Sequence, residues 1–468
     1  MDRKLSFERL IILYVPWALS WLFASDDLIS YYIAWFGSFF IFYITITGWI
    51  KPLPADRSFA AQLMRPILLV QIIFAGYTCC TSIFYFMNVL GFNNFSKINA
   101  SYLIDVQKLH ITVQCQRYYC LGHAAFVTGV ICFMKYPVKL KYRVDTRSMS
   151  NLIFYFAIIS LPLSIVFLKI PGLSQFSNQF GSLSFIAGTL ALAYAIPQKK
   201  LVNTLICFGL YFSNFYAALT SGFKEPIIIS VMVLGIFLYP TYKKTVVAIF
   251  LPILFALFLL LPTYARTFRQ NAWSGDTSAD DATQLALDAA FNPDEDLEDT
   301  NWGFLVYRLS EIDMFTTFAE STPRQIDFYG SKLLKQSGMA IIPRIFWPGK
   351  PNTEEMVMER VYDAGVINRA STVSAKPAFI VDAYLSYGGL GVWMFMFAYG
   401  AIAQVISIKA ESLFGGYLLG TALIFSGLFQ IFWRGLSLEF IINTVFWSYI
   451  SMLLVAWVLR YKTILRPV

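Results

Sequence analysis

Long apolar runs recur along nearly the whole chain, and they constrain its fold more than any other feature. At a rise of about 1.5 Å per residue, some 20 apolar residues cross the roughly 30 Å of hydrocarbon in a bilayer. The sequence predicts about twelve such spans. They cover residues 10–23, 31–50, 66–90, 118–134, 151–168, 182–196, 201–219, 226–239, 245–261, 390–408, 414–432 and 440–459. With 57% hydrophobic and 14% charged residues, the composition also differs from that of soluble domains, so we predict an all-α polytopic membrane protein.

The basic residues are concentrated in every second connector between these spans. Clusters lie at residues 3–9, 51–65, 135–147, 199–200, 243–244 and 460–466. Cytoplasmic connectors carry such an excess of Lys and Arg. The pattern predicts that both termini are cytoplasmic and explains the net charge of +8 without nucleic acid as a partner. The first apolar run follows a basic start, and we expect it to be an uncleaved signal anchor.

One connector, residues 264–376, is much longer than the others and falls on the predicted outer side. Loops of this length are usually functional or disordered. We therefore divide the chain into transmembrane helices 1 to 9 (residues 1–263), a periplasmic loop domain (264–376) and a C-terminal part (377–468). The C-terminal part is predicted to hold a short re-entrant or interfacial helix and then spans 10 to 12.

Three patterns within and after the loop give local predictions. The acidic piece at residues 276–299 contains no basic residue and is predicted to be a solvated excursion. An apolar stripe through residues 304–318 predicts a helix, and Asn352 or Thr353 before two glutamates predicts another helix start. Residues 377–387 form an apolar run that predicts a short helix at membrane depth, where Asp382 requires surrounding protein.

The dodecamer IIPRIFWPGKPN, residues 341–352, is stiff and cationic. Its three prolines fix φ at their positions and remove backbone donors. Arg344, Trp347 and Lys350 add cationic and aromatic groups at short spacing. A rigid frame that carries cations is suited to binding an anionic group.

Three short elements occur together: IPRIFWPGKP behind a Tyr-Gly pair, DAYLSYGGLG before the last group of spans, and TSGFKEP at the outer end of a span. Combined with the many spans and the large late loop, they resemble the bacterial oligosaccharide repeat-unit polymerases, the Wzy-type family. In the third element the basic residue is Lys224, where that family more often has arginine.

The resemblance implies a glycosyltransferase of GT-C-like architecture in the bacterial inner membrane. Its donor and acceptor would be undecaprenyl-pyrophosphate-linked oligosaccharides. The growing glycan passes to a hydroxyl of the acceptor repeat in the periplasm, and undecaprenyl pyrophosphate leaves. The product class is O-antigen, capsule or exopolysaccharide, and the implied partners are a chain-length regulator, a flippase and the lipid bilayer.

The same resemblance implies an outer-leaflet cavity beneath the loop, with a lateral groove for the polyprenyl chain. The sequence contains no HExxH motif, Gly-rich phosphate loop or Gly-x-Ser-x-Gly elbow, so we predict an enzyme that uses neither a metal nor another cofactor.

Site residues follow from the chemistry of the departing pyrophosphate, whose negative charge fixed cations stabilise. Arg344 is the first catalytic candidate, and Glu311 and Asp382 are the preferred bases, with Asp313 and Asp363 as further carboxylates. The candidate contacts to pyrophosphate or sugar are Lys224, Arg266, Arg269, Arg308, Trp347, Lys350 and Tyr384.

Each candidate also has an ordinary structural explanation. Outer-face arginines anchor to lipid phosphates, and interfacial aromatics form a belt. Glu311 is spaced to pair with Arg308, and Asp382 is placed to cap a helix end.

Three other functions remain open on the sequence alone. An O-antigen ligase shares the donor and architecture, but that family uses a histidine in its large loop, and this loop contains none. A lipid-linked oligosaccharide flippase fits twelve spans, although not the bulk of the loop. A membrane acyltransferase would use an intramembrane histidine, for which His123 is the candidate, although a buried core histidine is the simpler interpretation.

Overall fold

The computed structural model describes residues 7–97, 102–145, 149–170, 172–220, 224–272, 277–292, 297–370 and 374–468. The first half contains α1 (Phe7–Ile12), α2 (Val15–Leu22), α3 (Asp27–Ile46), α4 (Phe59–Leu63), α5 (Leu69–Gln71), α6 (Ile83–Val89), α7 (Val106–Phe133), α8 (Met149–Lys169), α9 (Ser174–Ala195), α10 (Leu201–Leu219), α11 (Lys224–Leu238) and α12 (Lys243–Ala272). The second half contains α13 (Ala279–Phe291), α14 (Leu297–Phe304), α15 (Ile312–Ser321), α16 (Lys332–Ile341), α17 (Thr353–Asp363), α18 (Phe379–Leu413), α19 (Ser426–Leu428), α20 (Ile431–Arg434) and α21 (Leu438–Tyr461).

Shorter elements complete the described chain. Three π-helical segments are π1 (Ile72–Cys80), π2 (Leu305–Leu309) and π3 (Leu418–Phe425). The strand β1 (Phe92–Asn93) pairs antiparallel with β2 (Ser96–Lys97), and β3 (Tyr142–Arg143) pairs antiparallel with β4 (Arg466–Pro467). The protein is therefore built mostly from helices.

Seven stretches of the described chain are helical, long enough and apolar enough to cross a membrane. They are Asp27–Ile46, Leu69–Val89, Met149–Lys169, Leu201–Leu219, Lys243–Ala272, Phe379–Leu413 and Leu438–Tyr461. Two shorter apolar helices are Ile227–Leu238 and Leu418–Leu428. Each of the twelve predicted segments is mostly helical. A helical membrane protein is thus confirmed, whereas the number of spans stays a prediction.

The central helix is α7, and from Thr112 onward most of its polar side chains are buried by the helices around it. Its closest partner is α18, because two glycines let the backbones meet. A Cβ at Gly129 would lie 2.1 Å from the carbonyl oxygen of Phe397, and one at Gly400 would lie 2.1 Å from that of Phe126. Small residues permit this approach between membrane helices, and no larger side chain fits without separating them.

Three of the basic connectors and the connector after α18 meet at one end of the helix bundle, which we call the basic end (residues 47–58, 134–145, 409–417 and 460–468). Its contacts include Arg57 Nη1 to Glu411 Oε1 at 2.9 Å, Lys141 N to Ser412 O at 2.9 Å, and the pairing of Tyr142 with Pro467. Clustering of these connectors agrees with their predicted location on one side of the membrane.

Residues 297–363 cover the opposite end, which we call the loop end. Its contacts to the membrane helices include Tyr77 Oη to Arg308 O at 2.8 Å, Gln107 Nε2 to Glu320 Oε1 at 2.9 Å, and Asn93 Nδ2 to Asp299 Oδ1 at 3.1 Å. The long connector is therefore packed onto the bundle, at the end away from the basic connectors.

One prediction about the start of this connector was wrong. The helix of the ninth predicted span, α12, continues beyond residue 261 to Ala272. The acidic piece was predicted to be a solvated excursion, but in its described part α13 is a helix that packs its alanine face against α12; residues 276 and 293–296 of the piece lie outside the described residues. The face consists of Ala282, Ala286 and Ala290, which meet Tyr264 and Phe268. Small side chains allow close packing of the two helices even though the other face of α13 is acidic.

Other local predictions were confirmed in part. Asn352 caps α17, since its Oδ1 accepts the N–H of Glu354 at 3.1 Å. The short helix around Asp382 ends as expected, because α18 is kinked at Tyr387 and Gly388, and Gly388 has φ +60°. The helix predicted through residues 304–318 is interrupted instead, between π2 and α15.

Candidate functional site

The interruption before α15 brings charged residues together on a distorted turn. The segment π2 ends at Leu309, and Glu311 has φ +54°, in the left-handed region. A residue other than glycine costs about 1 to 3 kcal/mol there unless its surroundings hold it, and such strain clusters at functional sites. Segments of π-helix are also frequent at functional sites. Arg308, Glu311 and Asp313 share this segment, which we call the Asp313 turn (residues 305–316).

Three tyrosines from the membrane helices hold the Asp313 turn in place. The hydrogen bonds run from Tyr77 Oη to Arg308 O at 2.8 Å, from Tyr119 Oη to Ser310 O at 3.0 Å, and between Tyr85 Oη and Thr316 Oγ1 at 3.3 Å. These bonds link the turn to π1, α7 and α6. The surrounding bundle thus fixes a backbone conformation that the local sequence alone disfavours.

Asp313 has the perturbed carboxyl group of the turn. Burial raises the pKa of Asp313 above its ordinary value, and the N–H of Met314 and the charges of Arg308 and Lys108 offset part of that rise. Lys108 comes from the first turn of α7, and its Nζ lies 5.6 Å from the centre of the Tyr85 ring. A partly buried carboxylate that is influenced by the charges of two cations can act as a general base while the cations stabilise a developing anion.

Arg266 and Arg269 approach the same region from the end of α12. Arg266 Nη1 donates to Thr300 Oγ1 at 3.3 Å, and Thr300 lies on α14, which leads directly into π2. Arg266 is exposed and Arg269 is half-buried. The structure thus places Arg266 beside α14, the helix that leads to Arg308 and Glu311, and Arg269 follows Arg266 by one turn on α12.

The dodecamer forms a separate unit, and its two cations point in different directions. Lys350 is buried, and its Nζ donates to Ala340 O at 2.7 Å and Ile342 O at 2.9 Å, which caps the C-terminal end of α16. Burial and then the charge of Arg344 lower the pKa of Lys350. Arg344 itself is exposed, and Trp347 is half-buried. The ammonium group of Lys350 is therefore occupied by backbone carbonyls.

Asp382 belongs to a buried ion cluster that joins three helices. Arg360 of α17 donates to both carboxylate oxygens of Asp382, at 3.0 and 2.9 Å, and to both oxygens of Glu439, at 2.8 Å each. Asp382 Oδ2 also accepts the N–H of Leu438 at 2.7 Å, so it caps the start of α21. Side-chain exposure is 1% for Arg360 and 0% for both carboxylates. In this conformation the Asp382 carboxylate is a structural partner with three donors.

The remaining predicted residues have individual placements. Tyr384 is buried, donates its hydroxyl to Thr322 O at 2.9 Å, and has its ring packed among Tyr118, Phe315 and Phe328. Its ring faces are therefore covered by protein. The side chain of Lys224 lies outside the described residues.

His123 is fully buried, as expected for a core histidine. Its Nε2 lies 3.0 Å from Gln71 Nε2, and its Nδ1 has no hydrogen-bond partner among the described residues. No group of three or more His, Cys, Asp or Glu side chains within the described ranges is arranged to hold a metal ion.

Sequence reasoning missed Lys108, Arg360 and Glu439. Lys108 could have been found from the sequence, because it is a cation next to a span on the predicted outer side, where the charge pattern predicts few basic residues. Glu439 likewise lies at the edge of an apolar run. Arg360 is one of several charges on an amphipathic helix, and nothing in its local sequence separates it from its exposed neighbours.

These features define a helical membrane protein with a charged, backbone-strained turn fixed at one end of the bundle. The chain belongs to the family described as Domain of unknown function (DUF8712), whose model matches residues 15–467. No curated protein and no solved structure matches the chain.

Proposed function

We propose that this protein is a polymerase of lipid-linked oligosaccharide repeats, a membrane glycosyltransferase that uses a polyprenyl pyrophosphate donor. The observation that carries the proposal is the Asp313 turn. It combines a carboxyl group of raised pKa with Arg308 and Lys108 on a strained segment at the loop end. The resemblance of the dodecamer and the DAYLSYGGLG element to Wzy-type polymerases supports the same activity.

The proposed topology has twelve spans in the bacterial inner membrane, with a GT-C-like arrangement. Its support is that all twelve apolar segments are mostly helical and that three of the basic connectors meet at one end. We assign the basic end and both termini to the cytoplasm and the loop end to the periplasm. A chain-length regulator and a flippase would act as its partners.

In the proposed reaction, the acceptor hydroxyl attacks the anomeric carbon of the donor glycan. Asp313 takes the hydroxyl proton as the new C–O bond forms, and the bond to the pyrophosphate oxygen breaks. The bonding electron pair leaves on that oxygen, where Arg308 and Lys108 stabilise the charge, with Arg266 and Arg269 nearby. Direct displacement of this kind inverts the anomeric centre.

A cleft suited to the lipid part of the donor lies between α2 and α3. Its volume is about 590 Å³, and its lining is almost entirely apolar. It includes Leu19, Tyr32, Phe36 and Phe40, all of them exposed at the bundle surface. We assign the polyprenyl chain to this cleft, since an apolar groove open to the bilayer allows lateral entry.

Purified full-length protein in nanodiscs, given the lipid-linked repeat alone, tests the proposal directly. We expect a ladder of glycan lengths. Removing the base by Asp313→Asn should reduce the transfer rate about 10²- to 10⁴-fold, the usual contribution of general base catalysis.

The matched control is Asp363→Asn, because Asp363 is exposed and accepts a hydrogen bond from the exposed Arg369. It should leave the ladder intact. A single transfer to a different acceptor would indicate a ligase, and movement of intact substrate across the bilayer would indicate a flippase. Full activity of a folded Asp313→Asn protein would exclude the assigned base.

A further inference from the structure

The tip of the dodecamer exposes large apolar side chains at the level where the membrane part of the bundle ends. Phe346 is 78% exposed and Ile345 is 55% exposed. Both follow Arg344, which is also exposed. Isolated exposed apolar residues are common, but adjacent ones on a braced loop beside a membrane span require a covering surface.

The tip is held rigidly by contacts at its base. Phe346 N and Trp347 N both donate to Pro343 O, at 3.0 and 3.2 Å, which closes a tight turn. Lys350 fastens the same loop to the end of α16 through the two carbonyls described above. Because the base is fixed, Phe346 stays largely exposed and Ile345 stays partly exposed.

The depth of the tip follows from its contacts with α8 and α21. A Cβ at Gly172 would lie 2.9 Å from Ile345 Cβ, and α8 ends only three residues earlier, at Lys169. Trp447 of α21 donates its Nε1 to Ile341 O at 2.9 Å, just before the loop. The contact with Gly172 therefore places the tip beside the outer end of α8, a candidate span, and we assign it to the level of the headgroups.

The surface next to the tip also exposes apolar side chains. The last turns of α8 expose Val166 and Leu168, and Lys169 is exposed at its end. An apolar wedge flanked by Lys and Arg is the composition of segments that lie in the interface of anionic membranes. Phosphate is the complementary group for the Arg344 guanidinium and the Lys169 ammonium.

We propose that residues 344–346 form a lipid-binding wedge, in which Ile345 and Phe346 insert into the outer leaflet and Arg344, with Lys169, binds the phosphate of an anionic phospholipid. This role is independent of the proposed transferase activity. It would anchor the loop end at a fixed height over the bilayer, so that a lipid-linked substrate in the same leaflet meets the Asp313 turn at a constant depth.

Spin labelling of the full-length protein in nanodiscs of phosphatidylglycerol and phosphatidylcholine, without lipid-linked saccharide, tests the insertion. The measured quantity is the ratio of nitroxide collisions with oxygen, which dissolves in lipid, to collisions with an aqueous nickel chelate. A nitroxide at Phe346→Cys should give a ratio at least about threefold higher than a nitroxide at a solvent-exposed position. Glu355→Cys supplies that control position, since Glu355 is exposed on α17. Equal ratios at the two positions, or insertion only after lipid-linked saccharide is added, would overturn the proposal.

The phosphate contact is tested by native mass spectrometry of protein released from the same nanodiscs. Arg344→Ala should reduce the retention of phosphatidylglycerol about fivefold, the effect of one cation near an anionic surface. Arg369→Ala is the matched control, because Arg369 is exposed but bonded to Glu359 and Asp363. Unchanged retention in Arg344→Ala, or an equal loss in both variants, would overturn the lipid phosphate as the ligand.

Discussion

Replacement of Arg360 tests the ion cluster that joins the loop end to the last membrane helices. Arg360→Met removes four hydrogen bonds and leaves the carboxylates of Asp382 and Glu439 facing each other, both fully buried. Burial alone lowers the pKa of Arg360, but the two carboxylates raise it above the ordinary value, which shows how strongly the cluster favours the charged guanidinium. Loss of one partner from a buried ion cluster costs about 3 to 5 kcal/mol.

That cost should appear as local opening of α17, the helix that carries Arg360. At about 1.4 kcal/mol per factor of ten, the open population rises between roughly a hundredfold and a few thousandfold. Hydrogen exchange of the α17 amides in detergent micelles measures this population directly. The amides of Val357 and Val361, whose side chains are buried, should lose protection first.

Arg369 offers a matched control for this experiment. It also bonds to two carboxylates, those of Glu359 and Asp363, but its side chain is 58% exposed. Arg369→Met should change the exchange of α17 less than about fivefold, because solvent screens exposed pairs. If both variants exchanged alike, or if Arg360→Met kept full protection, the reasoning from burial would be refuted.

Three further outcomes are expected. Burial raises the pKa of Asp313, so its carboxyl group binds a proton more tightly in the folded protein than in the unfolded chain. As pH rises above the ordinary value of 3.8, base catalysis by the deprotonated carboxylate should therefore appear, and the contribution of Asp313 to folding stability should fall. Asp313→Asn should abolish this rising limb of the pH–rate profile. Gly129→Ala should destabilise the protein by about 1 to 3 kcal/mol in chemical unfolding, through overpacking against α18, whereas Gly209→Ala, with nothing within 4 Å, should not destabilise it. Lys350→Met should lower the melting temperature by removing the cap of α16, whereas Arg344→Met, which changes an exposed side chain, should leave it unchanged.

Much of the helical framework followed from hydrophobicity and charge. Apolar runs mark the helices because an uncharged stretch of sufficient length is stable in hydrocarbon only as a helix or a closed barrel. The positions of interruptions were less predictable. The run 10–23 divides into α1 and α2 near Pro16, and α13 forms from an acidic piece because Ala282, Ala286 and Ala290, four residues apart, find a partner face on α12.

The candidate site was predictable only where its residues are close in sequence. Arg308 and Glu311 were found from their spacing, although the left-handed backbone at Glu311 was not, since no local pattern requires it. The charge of Lys108 influences Asp313 from a helix some two hundred residues earlier in the chain. Such long-range pairs depend on how the helices pack, and a single sequence does not specify that packing.

The contrast between Asp382 and Asp313 shows why geometry changes the assignment of a base. Both are carboxylates near cations in largely apolar surroundings, and from sequence Asp382 was the stronger candidate. The structure gives Asp382 three donors, two from Arg360 and one from Leu438, and no solvent exposure, so a substrate hydroxyl has no route to its oxygens. Asp313 is only partly buried and lies at the loop end, where the charges of Arg308 and Lys108 influence it. A base must accept a proton from an approaching substrate, so accessibility favours Asp313, and the saturated hydrogen bonds of Asp382 suit it to holding the helices together.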